Sequence, residues 1–230
     1  MKKLLLACCL LLTATVVMAG SPPQADPVQP PRTSCNMPSV AHDWDFTASD
    51  QGFATTTCDA GGAPVWAWGN STIPGAPGTV WGTVLTGNYP NDAGEGLVSP
   101  SFTVGNDSYL LELGHYFDCE ANFDGMNVKV GGTVITPDGG YTGTISTSTS
   151  YYAWCVDMEQ GWTGHDATWR ADCFDLSAYM GQTISVEFDF GSDSSVSYPG
   201  WYLAYVRVGG EGGGTPAEAA SWGSIKSLYK

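Results

Sequence analysis

The sequence predicts an all-β protein folded as a sandwich, and three observations lead there. The first is composition: 30 glycines and 12% aromatic residues stand against only 13% charged ones. Aromatic side chains favour pleated strands and glycine favours turns. So many aromatics also exclude a wholly disordered chain. The second is alternation. Ile184, Val186, Phe188 and Phe190 alternate with Ser185, Glu187 and Asp189, the pattern of a strand with one buried face. The third is the lack of a long amphipathic helical stretch, which leaves short strands spaced by turns.

The chain divides into five parts. Residues 1–19 carry a basic start at Lys2 and Lys3, an apolar core, and a small-x-small pattern at Val17-Met18-Ala19. This is the pattern of a secretory signal peptide cut near Ala19/Gly20. Residues 20–36 form a linker rich in proline. Residues 37–209 are the sandwich domain, residues 210–216 a glycine-rich linker, and residues 217–230 a C-terminal tail. Both ends are expected to be flexible. Trp222, Ile225 and Tyr229 recur at helical spacing in the tail, and Lys226 and Lys230 make it basic. That marks it as a candidate sorting or docking segment.

Within the domain, short β-like pieces are expected around Trp44-Asp45-Phe46, Thr55–Cys58, Val65–Gly69 and Val80–Leu85. Leu97–Val104 reads as one strand with Pro100 tolerable at an edge. Tyr109, Leu111 and Leu113 share one face, and Met126, Val128 and Val130 alternate with Asn127 and Lys129. Thr142–Ser150 is nearly all Ser and Thr, either a solvated strand or a loop. Asp175 or Ser177 can cap one short turn that Gly181 ends. Gly200–Val208 is the final strand.

Cys8 and Cys9 leave with the signal segment, and Cys35, Cys58, Cys119, Cys155 and Cys173 remain. Export makes disulfides the expectation. Cys35 with Cys58 is a reasonable pair, two of the other three can form a second, and one is left over. Loss of Lys2 and Lys3 leaves 6 basic against 23 acidic side chains, a net charge of −17. That disfavours nucleic acid and anionic membranes as partners. No stretch after the signal is long and apolar enough to span a bilayer.

Catalytic motifs are absent: there is no HExxH, GxSxG or P-loop. His42, His115 and His165 stand far apart, and no nucleophile motif accompanies Gly164-His165-Asp166. An enzyme is therefore not expected. Calcium is the candidate cofactor. Asp118–Gly125 sets oxygen side chains at alternate positions before a glycine, so Glu120 and Asp124 are candidate metal ligands, with Asp193 a third. It is no EF-hand, because Gly131 stands where the closing glutamate belongs. Trp154 and Trp162 flank a polar loop and are candidate ligand-binding platforms for a sugar face, whereas Trp66, Trp68 and Trp201 suit core packing better.

The run Trp66–Gly69, then Trp81–Tyr89, then Leu97–Pro100, resembles the opening of the MAM-like domains of secreted bacterial metallopeptidases of the immune inhibitor A group. Glu120–Val128, Phe174–Tyr179, and Phe190–Asp193 followed by Gly200-Trp201-Tyr202 are similar too, in order across Trp44–Val208. The resemblance implies a MAM-like, concanavalin-like jelly-roll sandwich with a non-catalytic accessory role. One departure stands out: that family continues Gly-Trp-Tyr with an apolar residue and two aspartates, where this chain has Leu203, Ala204 and Tyr205. The function expected is a secreted, periplasmic or surface-exposed binding or adhesion module for a protein or carbohydrate ligand. The alternative is a structural envelope-associated protein held by its C-terminal tail.

Overall fold

The computed structural model describes residues 34–58, 62–146 and 153–211. The signal segment, most of both linkers and the tail at 217–230 lie outside these residues, as does the end of the Ser/Thr run. Fifteen strands follow in chain order: β1 (Ser39–Asp45), β2 (Ala54–Thr57), β3 (Ala67–Asn70), β4 (Thr79–Gly82), β5 (Gly94–Val98), β6 (Phe102–Thr103), β7 (Leu110–Asp118), β8 (Gly125–Val130), β9 (Thr133–Ile135), β10 (Gly143–Thr144), β11 (Gln160–Gly161), β12 (Arg170–Asp175), β13 (Thr183–Ile184), β14 (Val186–Gly191) and β15 (Gly200–Gly210). Among the described residues the only helical pieces are two 3-10 turns, Trp154–Val156 and Ser177–Tyr179. Asp175 Oδ1 accepts from the Ser177 amide at 2.7 Å, and Gly181 follows at φ +78°.

Two antiparallel sheets face each other. One runs β12-β7-β15-β4-β3, with β1 beside β4 on the same edge of β15; the other runs β2-β5-β14-β8-β9. The chain passes from one sheet to the other between β7 and β8 and again between β14 and β15, the jelly-roll alternation. The inner faces meet in one core. Val186, Phe188 and Phe190 of β14 pack there with Met126 and Val128 of β8 and Leu111, Leu113 and Phe117 of β7. Strand period alone puts alternate residues inward, and β15 needs a correction to obey it. Trp201 and Leu203 face the core, as do Val206 and Val208, which have the opposite parity. A register shift between Leu203 and Tyr205 supplies the extra residue, so both halves of the strand bury their apolar side chains.

Three strand expectations change. Leu97–Val104 is two strands, because Pro100 has no N–H to continue the ladder; Ser99 turns the chain, its Oγ accepting from the Val186 amide at 2.9 Å. The Val80 strand stops at Gly82: the Thr83 amide still donates to the Trp201 carbonyl of β15 at 2.9 Å, but the Trp201 amide returns to the Thr83 side-chain Oγ1 at 3.0 Å. Trp68 sits on an edge strand, is 37% exposed, and donates its indole N–H to the Phe46 carbonyl. Trp66 is buried as expected.

The cysteine pairing also differs. Cys35 pairs with Cys173 and Cys58 with Cys155, and Cys119 is the free thiol. Cys35 and Cys58 flank the first strand region in sequence, but β1 belongs to one sheet and β2 to the other, which carries them apart. Cys35 instead crosses the outer face of β7, where its amide donates to Glu112 Oε2 at 2.9 Å. Cys173 lies opposite Glu112 across the β12–β7 pair.

Candidate functional site

The best-defined polar site lies at one end of the sandwich, where three loops meet. These are residues 83–93 between β4 and β5, residues 119–124 between β7 and β8, and residues 192–199 between β14 and β15. The first and third are laced together: Asp92 N donates to Asp193 O at 2.7 Å, Tyr89 N to Tyr198 O at 3.0 Å, and Ser192 Oγ to Pro90 O at 2.9 Å. The middle loop turns tightly, with Asn122 at φ +68°, a left-handed geometry that asparagine tolerates. Its amide donates to Thr163 Oγ1 at 2.7 Å.

This arrangement brings Glu120, Asp124 and Asp193 together. One oxygen from each lies within 4.8 Å of the others. Asp124 is fully buried and Asp193 nearly so, while Glu120 is half-buried. Tyr89 Oη donates to Asp124 Oδ2 at 2.5 Å and accepts from the Glu120 amide at 3.1 Å. The Asp193 amide donates to Asp124 Oδ1 at 2.7 Å. Glu120 Oε2 is buried with no hydrogen-bond partner among the described residues. Burial pushes the Asp124 carboxyl up to about 8, with the Tyr89 and Asp193 donors opposing and the Asp193 and Glu120 charges adding. Burial, then the Asp193 charge, pushes Glu120 up to about 7. Three carboxyl groups thus crowd a site with no cationic side chain among the groups that shift them. Ligand oxygens around one bound calcium or magnesium ion stand no more than about 4–5 Å apart, and the three carboxyl oxygens, all within 4.8 Å of one another, are close enough to share one such ion. The donor set therefore fits a hard cation, with backbone oxygens or water completing its shell. Tyr89 is the residue of this site that sequence reasoning missed; it lies 35 positions from Asp124 and stood only as the end of the Trp81–Tyr89 block, with no link to the acidic loops.

Trp162 is not a ligand platform. Backbone bonds in both directions with Met126 hold it against β8 beyond the end of its pairing with β9, and its side chain goes between the sheets with no exposed surface. It packs 4.5 Å from the His115 ring and 4.9 Å from the Tyr141 ring. Trp154 is half-buried and lines a cleft of about 380 Å³ on the outer face of the five-stranded sheet, with Thr56, Lys129, Glu187 and Asp189. Cys119 is buried below the cation site, its thiol donating to the Asp124 carbonyl at 3.6 Å, and burial pushes that thiol well up.

The core also holds a polar chain. The Trp201 indole N–H donates to His115 Nδ1 at 2.9 Å. Indole can only donate, so His115 carries its proton on Nε2 and gives it to Asp172 Oδ2 at 2.7 Å. Arg170 clasps the same carboxylate through Nε at 2.6 Å and Nη2 at 2.7 Å. Burial holds the imidazole below its ordinary range despite Asp172. A His–Asp pair suggests hydrolase chemistry, but a general base must reach a substrate proton. Here the accepting nitrogen is occupied and the ring is sealed, so the pair is structural. His165 pairs with Asp118 instead of Asp166, and Asp166 goes to Arg170 Nη1 at 2.9 Å.

No protein-family model matches the chain. Over 176 residues, 72% of the chain, it is 31% identical to Bacillopeptidase F of Bacillus subtilis (strain 168), and the chain spans only 11% of that protein's length. The chain is therefore a partial relative of a much longer peptidase. The solved K1 cleaved adhesin domain of Lys-gingipain from Porphyromonas gingivalis W83 is similar with a TM-score of 0.41 and 16% identity, covering 74% of this chain and 98% of that one. These likenesses do not extend to a specific MAM-like assignment.

Proposed function

We propose that this chain is an extracellular, non-catalytic binding module that recognises a protein or glycan at a cell surface and is stabilised by calcium at Glu120, Asp124 and Asp193. The observation that carries the calcium part is the convergence of three carboxyl groups within 4.8 Å at a point where three loops meet. A cation there cancels the mutual repulsion and locks the loops that form one end of the sandwich. The partial kinship with a long peptidase supports an accessory role beside catalytic domains elsewhere. The MAM-like resemblance belongs to this proposal too. Two disulfides support an oxidising, extracellular compartment. No helix of the described residues is long and apolar enough to cross a membrane.

Two experiments test this. A glycan array and a surface-protein pull-down with the purified chain are expected to give saturable binding in at least one format; blanks in both overturn the binding role. Thermal melting in calcium and in EDTA is expected to give different midpoints, and equal midpoints overturn the calcium site.

A further inference from the structure

The outer face of the six-stranded sheet carries an apolar groove of about 390 Å³. Its floor is a row across three strands, Ala171 of β12, Gly114 of β7 and Tyr205 of β15. A Cβ on Gly114 would fall 2.1 Å from the Tyr205 ring, so the ring rests on bare backbone. Half-buried Trp169 forms one bank, and Pro77 from the loop between β3 and β4 lines it too. The polar groups of these walls are already bonded. The Trp169 indole N–H donates to the Pro74 carbonyl at 3.1 Å, and the Tyr205 hydroxyl donates to Glu112 Oε1 at 3.1 Å. Arg170 borders the groove, but its guanidinium is committed to Asp166 and Asp172 and its side chain has no exposed surface. The surface offered is therefore aromatic and uncharged. A sugar would find few hydrogen-bond partners there, and an anion no cation. A proline-rich segment suits it, because the extended polyproline helix docks in apolar grooves lined by aromatic rings.

Such a segment begins at the edge of the groove. Going backwards from β1, Met37 lies over β15, its Sδ 2.9 Å from where a Cβ on Gly209 would stand. Cys35 then sits across β7 and β12: its amide donates to Glu112 Oε2 at 2.9 Å, and its sulfur is joined to Cys173. One carboxylate thus holds both Cys35 and the Tyr205 ring. The described residues begin one position earlier, at Ser34. Residues 20–33 precede it and include Pro22, Pro23, Pro27, Pro30 and Pro31. Ala171 and Trp169 stand two and four residues before Cys173, so Trp169 is about 13 Å from Cys173 at strand spacing. A polyproline helix rises about 3.1 Å per residue, so about four residues cover that distance from Cys35. Counting back, Pro30 and Pro31 reach Trp169.

We infer that this groove is the docking site of the chain's own proline-rich linker, with Pro30 and Pro31 against Trp169 and Tyr205. The Cys35–Cys173 disulfide sets the point from which the linker enters it. The inference is independent of the cation site and of any outside ligand.

Hydroxyl-radical footprinting read by mass spectrometry tests it. The purified chain is compared with a variant lacking residues 20–33 and with Pro30→Ala combined with Pro31→Ala. Neither change touches the sandwich, and Cys35 stays in place. Oxidation of Trp169 and Tyr205 should rise at least threefold in both variants, while Trp68, exposed on an edge strand, should oxidise at one rate throughout. A synthetic peptide of residues 24–33, added at millimolar concentration to the deletion variant, should restore the protection. Equal oxidation of Trp169 and Tyr205 in the parent and the deletion variant overturns the proposal. If they stay protected in the deletion variant until it is diluted, a second copy fills the groove and the linker assignment falls. Protection lost on deletion but kept in the double alanine variant overturns the recognition of proline.

Discussion

Asp172→Asn should be among the most damaging isosteric changes in the protein. Asp172 has no exposed surface and accepts from His115 Nε2, Arg170 Nε and Arg170 Nη2. The proton order along the chain is fixed from the far end, because the Trp201 indole can only donate. An asparagine keeps the shape but turns one oxygen into an NH₂. If that group faces Arg170, two donors collide. If it faces His115, the imidazole must move its proton to Nδ1, where it meets the Trp201 N–H. Either orientation leaves a buried donor unpaired and removes one partner of the Arg170 charge. Breaking a buried ion pair from one side costs about 3–5 kcal/mol. For a domain of this size each kcal/mol moves the midpoint by about 2–4 °C, so the loss should be roughly 6–20 °C. Urea unfolding followed by tryptophan fluorescence measures it. A loss below about 1 kcal/mol would refute the fixed donor order.

Other predictions can be checked together. Calcium should raise the midpoint by roughly 5–10 °C at pH 8 when present at about 100 times its dissociation constant. The gain should shrink strongly at pH 5, where Asp124 and Glu120 hold protons that compete with the metal, and vanish in Asp124→Asn. Without calcium, the raised carboxyls of Asp124 and Glu120 stay protonated in the folded state while the unfolded chain ionises. Their contribution to stability therefore falls as pH rises from about 4 to about 8; calorimetry across that range in EDTA, with Asp124→Asn for comparison, reads it. Non-reducing peptide mapping should find Cys35 joined to Cys173 and Cys58 to Cys155, with Cys119 unreactive to a thiol reagent until the protein unfolds. Closing a loop of 138 residues is worth about 5 kcal/mol in the chain-entropy model, so Cys35→Ser should be severely destabilising. Trp162→Ala, at a position with no exposed surface, should cost about 3–5 kcal/mol in chemical denaturation, where an exposed platform would cost almost nothing.

Alternation in β14 and β8 was legible because one face of each strand is core and the period is two. β15 was harder: Ala204 sits in a register shift that no period predicts, and only the need to bury both Trp201 and Val206 explains it. Glu120 and Asp124 could be read from their turn, and Asp193 from its acidic loop. Their juxtaposition depended on which strands pair. Trp162 was misjudged because its flanking residues are polar; a two-bond bridge to Met126, 36 positions away, draws it inward. Outward polar residues on β14 read as solvated, yet the turn at Trp154–Val156 and Lys129 turn that face into a walled cleft. Disulfide partners were hidden for the same reason, since crossings between sheets set them.

The most direct test of the calcium-stabilised module is isothermal titration of the chelator-treated chain with calcium at pH 7.5, repeated in two buffers of different ionisation enthalpy. One calcium should bind per chain with net proton release, because the raised carboxyls of Asp124 and Glu120 must ionise to accept it, and Asp193→Asn should weaken binding at least tenfold. Binding that releases no proton and survives Asp193→Asn, or no binding at millimolar calcium, would contradict it.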